Sequence, residues 1–262
     1  MGIILITVKG DSKRVFANAL HEKTGGAVDF VIMQKPEQLS LFKRVLRLYK
    51  RVGLLNFPRE LWYGLLLRIN GAKSALEYFR EYTKSDFAEF VPKVMEVDSI
   101  NSDEVFDLFK KTAPDLIVIW GGTILKPRIL GTAPKAINLH MGYCPHYSGA
   151  LANQCAMLEG DLDRIGATIH YAENKADSGD ILALVTADMK KPPREMFRDL
   201  NDRALALYVD IASRIFRGEE IEAKPQDISQ TKNLLLRQWV PSTRYKVGKK
   251  ILDLEGKFGS GS

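Results

Sequence analysis

Cysteine is almost missing from this chain of 262 residues. Cys144 and Cys155 are the two present, and their spacing fits neither a zinc-ligand pair nor a Cys-X-X-Cys redox motif. That argues against a disulfide-stapled scaffold and fits a reduced, cytoplasmic protein. Histidine is also scarce, with four in all. His140, His146 and His170 fall near one another and raise the question of zinc. None forms an i, i+4 pair and no glutamate stands beside them at ligand spacing, so no metal is expected. Long apolar runs are lacking as well. The stretch 61–69 is interrupted by Arg68, and no window approaches the roughly eighteen uninterrupted apolar residues of a membrane span. The apolar opening 3–8 is too short for a secretory leader and has no cleavage site. Gly2 fails as a lipidation signal, because Thr7 stands one place beyond the position that needs a hydroxyl. No membrane partner is expected.

In bulk, what is present is ordinary. A hydrophobic share of 45% with 27% charged residues is that of a chain that buries a core. The length suits one α/β domain with an appendage, or two small domains. The balance of 38 Lys and Arg against 32 Asp and Glu leaves +6, which suits anionic small molecules as well as nucleic acid. Much of the excess lies in 43–51 and 237–250. The first of these reads either as a solvated helix face or as contact with an anionic ligand or surface.

Short apolar runs alternate with helical periodicities along the chain. Residues 3–8, 28–33 and 116–120 are continuous apolar stretches and predict buried strands, while 12–23 carries Val15, Phe16, Ala19 and Leu20 on one helical face. Residues 36–84 interrupt this pattern and predict two or three helices punctuated by Pro58 and Gly71. The alternation then resumes with a strand at 93–97, a helix at 102–111 capped by Ser102, a turn at Gly121-Gly122-Thr123, a short helix at 127–130 and a strand at 136–140. A helix at 150–159, strands at 166–172 and 181–185, and a long amphipathic helix at 194–217 follow. After Pro225 the tail is basic and only partly regular, and its Gly-Ser end is expected to be disordered. The pattern predicts an α/β fold: a doubly wound, mostly parallel Rossmann-like sheet with a helical insertion and a small C-terminal helical appendage, binding ligands outside the strand carboxyl ends. Residues 1–190 form the main domain, with 36–90 largely a helical insertion, and 191–262 supply a C-terminal helix and basic tail.

The chemistry-bearing residues gather late. Asn138 and His140 stand at i and i+2 on a predicted strand end, so their side chains share a face. The loop 141–149, the segment Gly166-Ala167-Thr168-Ile169-His170 and the segment Ala176-Asp177-Ser178-Gly179-Asp180 follow. An amide, an imidazole and a carboxylate can meet there. These residue types leave several readings open: hydrogen-bonded structure without chemistry, a zinc site, or a thiol nucleophile at Cys144, for which no nucleophile elbow or third orienting group is in sight.

Taken together, Asn138-X-His140, Pro145-X-Tyr147-X-Gly149, Gly166-X-Thr168-Ile169-His170 and Asp177-X-Gly179-Asp180-Ile181 resemble the catalytic core of the formyltransferases that use 10-formyltetrahydrofolate. That family includes enzymes acting on glycinamide ribonucleotide, on methionyl-tRNA and on nucleotide-linked amino sugars. The resemblance is strong over 115–184, weaker over 1–35, and absent from the helical insertion and the tail. It implies that 1–190 is a catalytic domain with 10-formyltetrahydrofolate as co-substrate, and that Asn138, His140 and Asp177 are the catalytic trio. An amine would attack the formyl carbon on N10. Asn138 and His140 would donate to the oxygen that gains negative charge, and Asp177 would orient the imidazole and hold a water that relays the amine's proton. By the same resemblance the pterin ring is read mainly by main-chain groups at 121–125 and 173–177. Gly121, Gly122, Thr123, Leu125, Glu173 and Lys175 are thus its candidate contacts, although Gly121-Gly122 reads equally as an ordinary strand-to-helix turn. Thr168 and His170 are expected to support the pocket, and His170 reads equally as a satisfied core histidine.

The departures bear on the acceptor. Where the tRNA enzymes read Ser-Leu-Leu-Pro-X-Tyr-Arg-Gly, this chain has Gly142 for the serine and Ser148 for the arginine. Those relatives also carry a C-terminal barrel domain, for which the residues after Val185 are too few, so no nucleic acid is expected as a partner. The purine enzyme's glycine-rich segment is reduced to one glycine in Val8-Lys9-Gly10-Asp11-Ser12. What remains is the primary amine of an amino sugar, free or nucleotide-linked, and a role in carbohydrate biosynthesis. The insertion would shape the acceptor pocket or a homodimer surface, with Trp62, Tyr63 and Tyr78 stacking on a base or sugar, or packing between helices. Two other classes stay open: a formyltetrahydrofolate hydrolase, whose relatives carry an N-terminal domain where this chain opens on its first strand, and a non-catalytic folate- or nucleotide-binding module.

Overall fold

In the computed structural model, which describes residues 2–84 and 89–259, the apolar runs become one seven-stranded sheet. Its strands are β1 (Ile3–Val8), β2 (Val28–Gln34), β3 (Lys93–Val97), β4 (Leu116–Trp120), β5 (Lys135–His140), β6 (Gly166–Tyr171) and β7 (Ile181–Thr186). They lie in the order β3-β2-β1-β4-β5-β6-β7, parallel through β5 and antiparallel at β6 and β7. In β1, Ile3 and Leu5 enter one apolar cluster while Ile4 and Ile6 enter a second on the opposite face. A strand covered on both faces has no polar side, which is why its sequence is a continuous apolar run.

Helices α1 (Asp11–Lys23) and α7 (Pro193–Phe216) cover the first face, where Phe16 stacks on Tyr208 at 5.1 Å between ring centroids. Helix α4 (Asp103–Thr112) covers the second through Val105 and Phe109, and Ser102 caps it by accepting from the Val105 N–H, as expected. The chain leaves β1 for β2 and β3 on one side and returns to β4 on the other. The carboxyl ends of β1 and β4 therefore part at a topological switch point, where doubly wound sheets bind ligands.

The insertion differs from its prediction in one respect. Helix α2 runs Leu41–Ile69 and breaks at Gly53 (φ 75°, ψ 167°), while Pro58 sits inside the helix. Glycine alone adopts that left-handed φ cheaply. Pro58 lies five residues after Gly53 and does not end the second segment. Gly71 (φ 72°) does end the segment, and α3 (Ala72–Ala75) and a 3-10 turn, Leu76–Arg80, follow.

The tail also departs from expectation. Beyond the short helix α5 (Pro127–Leu130), α6 (Ala152–Glu159) and α7, the basic end forms a regular helix, α8 (Pro241–Gly259), with Val247, Gly248 and Ile251 buried. Gly248 meets α3 so closely that a Cβ would stand 2.4 Å from the Ala72 carbonyl oxygen. Glu60 of α2 accepts from the Ser242 N–H and hydroxyl, both at 2.8 Å, and so caps α8 from outside. Arg244, Lys246, Lys249 and Lys250 dilute the apolar period that α8 carries. The Gly-Ser end predicted to be disordered lies, beyond Gly259, outside the described residues.

Candidate active site

Antiparallel pairing sets Asn138 opposite His170 and His140 opposite Thr168. Asn138 Nδ2 lies 3.1 Å from His170 Nε2. The other nitrogen of His170, Nδ1, is 2.7 Å from the Tyr171 carbonyl oxygen. A carbonyl only accepts, so Nδ1 carries a hydrogen, and Nε2 is the nitrogen left to meet Asn138. Asp177 enters on the loop between β6 and β7, its Oδ1 3.5 Å from His140 Nδ1 and 3.6 Å from His170 Nε2. Its Oδ2 accepts from the Gly149 N–H at 2.8 Å. The predicted trio thus comes together, with His170 as a fourth member between Asn138 and Asp177.

Local features hold that loop in place. Asp177 has φ 51°, in the left-handed region that Asp tolerates better than most residues. A Cβ on Gly179 would stand 2.0 Å from the Tyr171 carbonyl oxygen, so the Asp-X-Gly-Asp segment requires a glycine there. The Gln226 side-chain amide donates to the carbonyls of both Asp177 and Gly179. On the other side, the Cys144 N–H donates to Thr168 Oγ1 at 3.0 Å, and the Thr168 hydroxyl donates to the Gly142 carbonyl at 2.7 Å.

The electrostatics favour a neutral His140 beside an ionised Asp177. Burial pushes His140 below its ordinary range, against the upward pull of the Asp177 charge. Burial raises Asp177, but His170, His140 and the Gly149 N–H together outweigh it and hold the carboxyl well below the usual carboxylate range. His140 Nε2 faces the Tyr147 carbonyl oxygen at 3.3 Å, so both ring nitrogens face acceptors. A neutral ring has one hydrogen for two acceptors, and a proton taken up satisfies both. The arrangement suits transient proton storage.

The open alternatives can be set against this geometry. Cys144 is buried, and burial with the nearby Asp177 charge pushes its thiol up to about 12. It stays protonated at neutral pH and is a poor nucleophile. Among the described residues no three His, Cys, Asp or Glu side chains are placed to hold a metal ion, and the His146 ring lies against Tyr143 instead.

The candidate pterin contacts divide by exposure. Gly121 (φ 89°) and Gly122 (φ 106°) make an exposed turn at the end of β4, and Thr123 donates its N–H to Gln34 Oε1 at 3.0 Å. Leu125 turns its side chain into the core under α4. Glu173 and Lys175 are exposed on the loop leading to Asp177, where Ser178 donates to the Lys175 carbonyl at 2.9 Å. Of the insertion aromatics, Tyr63 packs on Tyr245 and the Tyr78 hydroxyl meets Glu255 at 3.2 Å, whereas Trp62 is 58% exposed. The clamp by Gln226, 49 positions from Asp177, has no signal in the sequence, since nothing periodic marks that segment. The bridging place of His170 was foreshadowed by strand alternation alone.

Comparison with known proteins follows from this geometry. The sequence model described as formyl transferase matches residues 63–211. A methionyl-tRNA formyltransferase of Finegoldia magna is 35% identical over 120 residues, 45% of this chain and 37% of that protein. This chain spans less than half the length of the curated relatives it matches. A sugar N-formyltransferase structure from Shewanella sp. FDAARGOS_354 has a TM-score of 0.55 at 13% identity, covering 94% of this chain and 88% of that one. The N-formyltransferase of Helicobacter canadensis, determined with folinic acid and dTDP-3-aminofucose, has a TM-score of 0.55 at 13% identity, covering 96% and 80%. Likeness at such identity is one of fold. The family match covers more than half of the residues, and this chain belongs to the formyl transferase family.

Proposed function

We propose that this chain is an N-formyltransferase that moves a formyl group from 10-formyltetrahydrofolate to the primary amine of an amino sugar, nucleotide-linked in the first instance. The observation that carries the reading is the Asp177 carboxylate lying between His140 and His170, with Asn138 meeting the same ring nitrogen of His170, Nε2, that Asp177 faces. In this family the donor is 10-formyltetrahydrofolate, which supplies an electrophilic one-carbon unit on N10. The residues fit such a donor. The turn at Gly121 and Gly122 leaves main-chain groups exposed beside the switch point, and Thr123, Leu125, Glu173 and Lys175 complete the segments proposed to read the pterin through the backbone. The catalytic unit is proposed to be 1–190, with 36–90 inserted and 191–262 packed against it.

Each side chain has a task that its surroundings allow. Asn138 spends one amide hydrogen on His170 and has a second for the formyl oxygen. His140 exchanges its long Tyr147 contact for the same oxygen as negative charge develops there. Asp177 holds a water that relays the proton the attacking amine must lose to His140 Nδ1, and its charge stabilises the ring that takes the proton up. That proton is then available to the folate nitrogen when its bond to the formyl carbon breaks.

The sugar is supported by the fold likeness to the Shewanella and Helicobacter enzymes and by the altered loop, with Gly142 and Ser148. A second reading, the amine of methionyl-tRNA, is favoured by the 35% identity to the Finegoldia enzyme. One assay separates them. Tetrahydrofolate release from 10-formyltetrahydrofolate is measured with a panel of nucleotide-linked amino sugars, with glycinamide ribonucleotide, with methionyl-tRNA and with no amine. Release that requires an amino sugar upholds the proposal. Release without any amine would make the chain a hydrolase, release with tRNA alone would transfer the assignment, and no release in any arm would leave a binding module.

A further inference from the structure

Of the seventeen large apolar side chains exposed among the described residues, eleven belong to α2. Before its break at Gly53 the helix carries Leu41, Phe42, Val45, Leu46 and Tyr49 on one side. At about 100° per residue, Lys43, Arg44, Arg47, Lys50 and Arg51 fall on the other side, and no acidic residue lies between 41 and 52. All ten of these side chains are exposed. After the break, Leu54, Leu55, Leu61, Trp62, Leu65 and Ile69 line the outward face, with Leu55 93% exposed. The opposite face buries Glu60 and Leu67, and Glu60 holds the start of α8. One face of one half therefore ties α2 to the body, and the rest is offered outward. Leu236, 61% exposed, extends the apolar patch where its carbonyl accepts from Arg51 at 3.1 Å.

Eleven exposed large apolar side chains on one element are costly in water and mark a contact site. We infer that α2 docks the protein on an anionic phospholipid bilayer, lying in the interface with its apolar face among the acyl chains and its basic face among the phosphates. The charge pattern selects this partner. Two copies meeting through α2 would bring two basic rows together, each offset only by the Glu37 carboxylate paired with Arg47, since the one carboxylate of the helix itself, Glu60, is 0% exposed. An RNA would use the cations and leave the six apolar side chains of the second half in water. A negatively charged bilayer takes both. Tyr49 and Trp62 belong to the residue types that settle at such boundaries. No helix among the described residues is long and apolar enough to cross the membrane, so the contact is peripheral.

The test uses the full chain and does not depend on formyl transfer. Co-sedimentation is measured with vesicles of phosphatidylcholine alone and of equal parts phosphatidylcholine and phosphatidylglycerol. The wild type, a Leu55→Glu/Trp62→Glu variant and a Lys43→Glu/Arg44→Glu variant are compared, with circular dichroism to show that each is folded. The wild type should bind the anionic vesicles about tenfold or more over the neutral ones. The apolar-face variant should lose binding to both, and the charge variant should lose the preference. The inference is overturned if the wild type stays in the supernatant with anionic vesicles, or if the apolar-face variant binds as the wild type does. It is equally overturned if the wild type ignores vesicles and forms a dimer that Leu55→Glu/Trp62→Glu dissolves. Binding to an RNA hairpin without binding to vesicles sinks it too.

Discussion

Gly142 lies directly against the ring of His140: a Cβ at position 142 would stand 2.2 Å from His140 Nε2 and 2.3 Å from the Ala152 Cβ. This is the position where the tRNA-modifying pattern has serine, so the ring here occupies room that a side chain would need. Gly142→Ser should displace His140 and lower kcat/KM by about tenfold or more, in keeping with the sensitivity of reacting groups to small misplacements. Steady-state kinetics with a melting curve as control checks this. An unchanged rate would mean that the ring and loop can part without consequence.

Asn138→Ala and His140→Ala each remove a donor proposed to meet the formyl oxygen. Loss of such a donor costs roughly 3–4 kcal/mol of transition-state stabilisation, or about two to three orders of magnitude in turnover. Both variants should keep the wild-type circular dichroism spectrum. Rates near wild type in both would dispose of the mechanism.

The pH dependence has a definite sign. Burial depresses His140 in the folded protein, so as pH falls the unfolded chain takes up that proton first. The stability this group contributes is complete above about pH 6.5 and is lost as pH falls from there through the folded value. Asp177 is depressed too, and its contribution stands above about pH 3.9 and is lost as pH falls through its own folded value. Because the Asp177 charge pulls His140 upward, Asp177→Asn should move the His140 titration to lower pH, followed by its ring-proton NMR signals. A titration that stays put or rises would show that the two groups are not coupled.

Cys144→Ser should retain most activity, since the thiol is buried and protonated across the working range. In the same way, wild-type Cys144 should react slowly with iodoacetamide at neutral pH. Loss of activity with the fold intact would restore the thiol as a nucleophile.

Tyr208→Phe tests how the sheet is braced behind the site. The buried Tyr208 hydroxyl accepts from the Ile119 N–H at 3.0 Å and lies 2.9 Å from the carbonyls of both Ile119 and Ile137. Ile119 pairs with Asn138 across β4 and β5. Leaving these groups without a partner should cost about 1–3 kcal/mol, read from denaturant unfolding. A smaller loss would mean that water or a shifted strand replaces the hydroxyl.

How much of this was legible in the sequence depends on the range of the interaction that fixes each feature. Continuous runs such as 116–120 declared buried strands because burial on both faces leaves no alternation, and Asn138 and His140 declared a shared face because a strand has period two. The break in α2 was expected at Pro58, which the helix carries through, while Gly53 supplied the left-handed turn. Helix α8 was missed because its apolar residues are thinly spread among lysines and its stability comes from Glu60 and Ala72, distant in sequence. The Gln226 clamp was invisible for the same reason: nothing local distinguishes a glutamine that will reach two carbonyls of another loop.

Because β6 runs against β5, the meeting of Asn138 with His170 is a matter of strand register and not of how the connecting chain is routed. The stretch between Gly149 and Gly166 braces that pairing from outside, where the Asn153 side chain both donates to the Gly166 carbonyl and accepts from its N–H, each at 2.9 Å. A single residue gained or lost inside Gly166–Tyr171 would seat Ile169 or Tyr171 opposite Asn138 and swing the imidazole to the far side of the sheet. The six positions of β6 therefore tolerate no change in their count without unseating that pair.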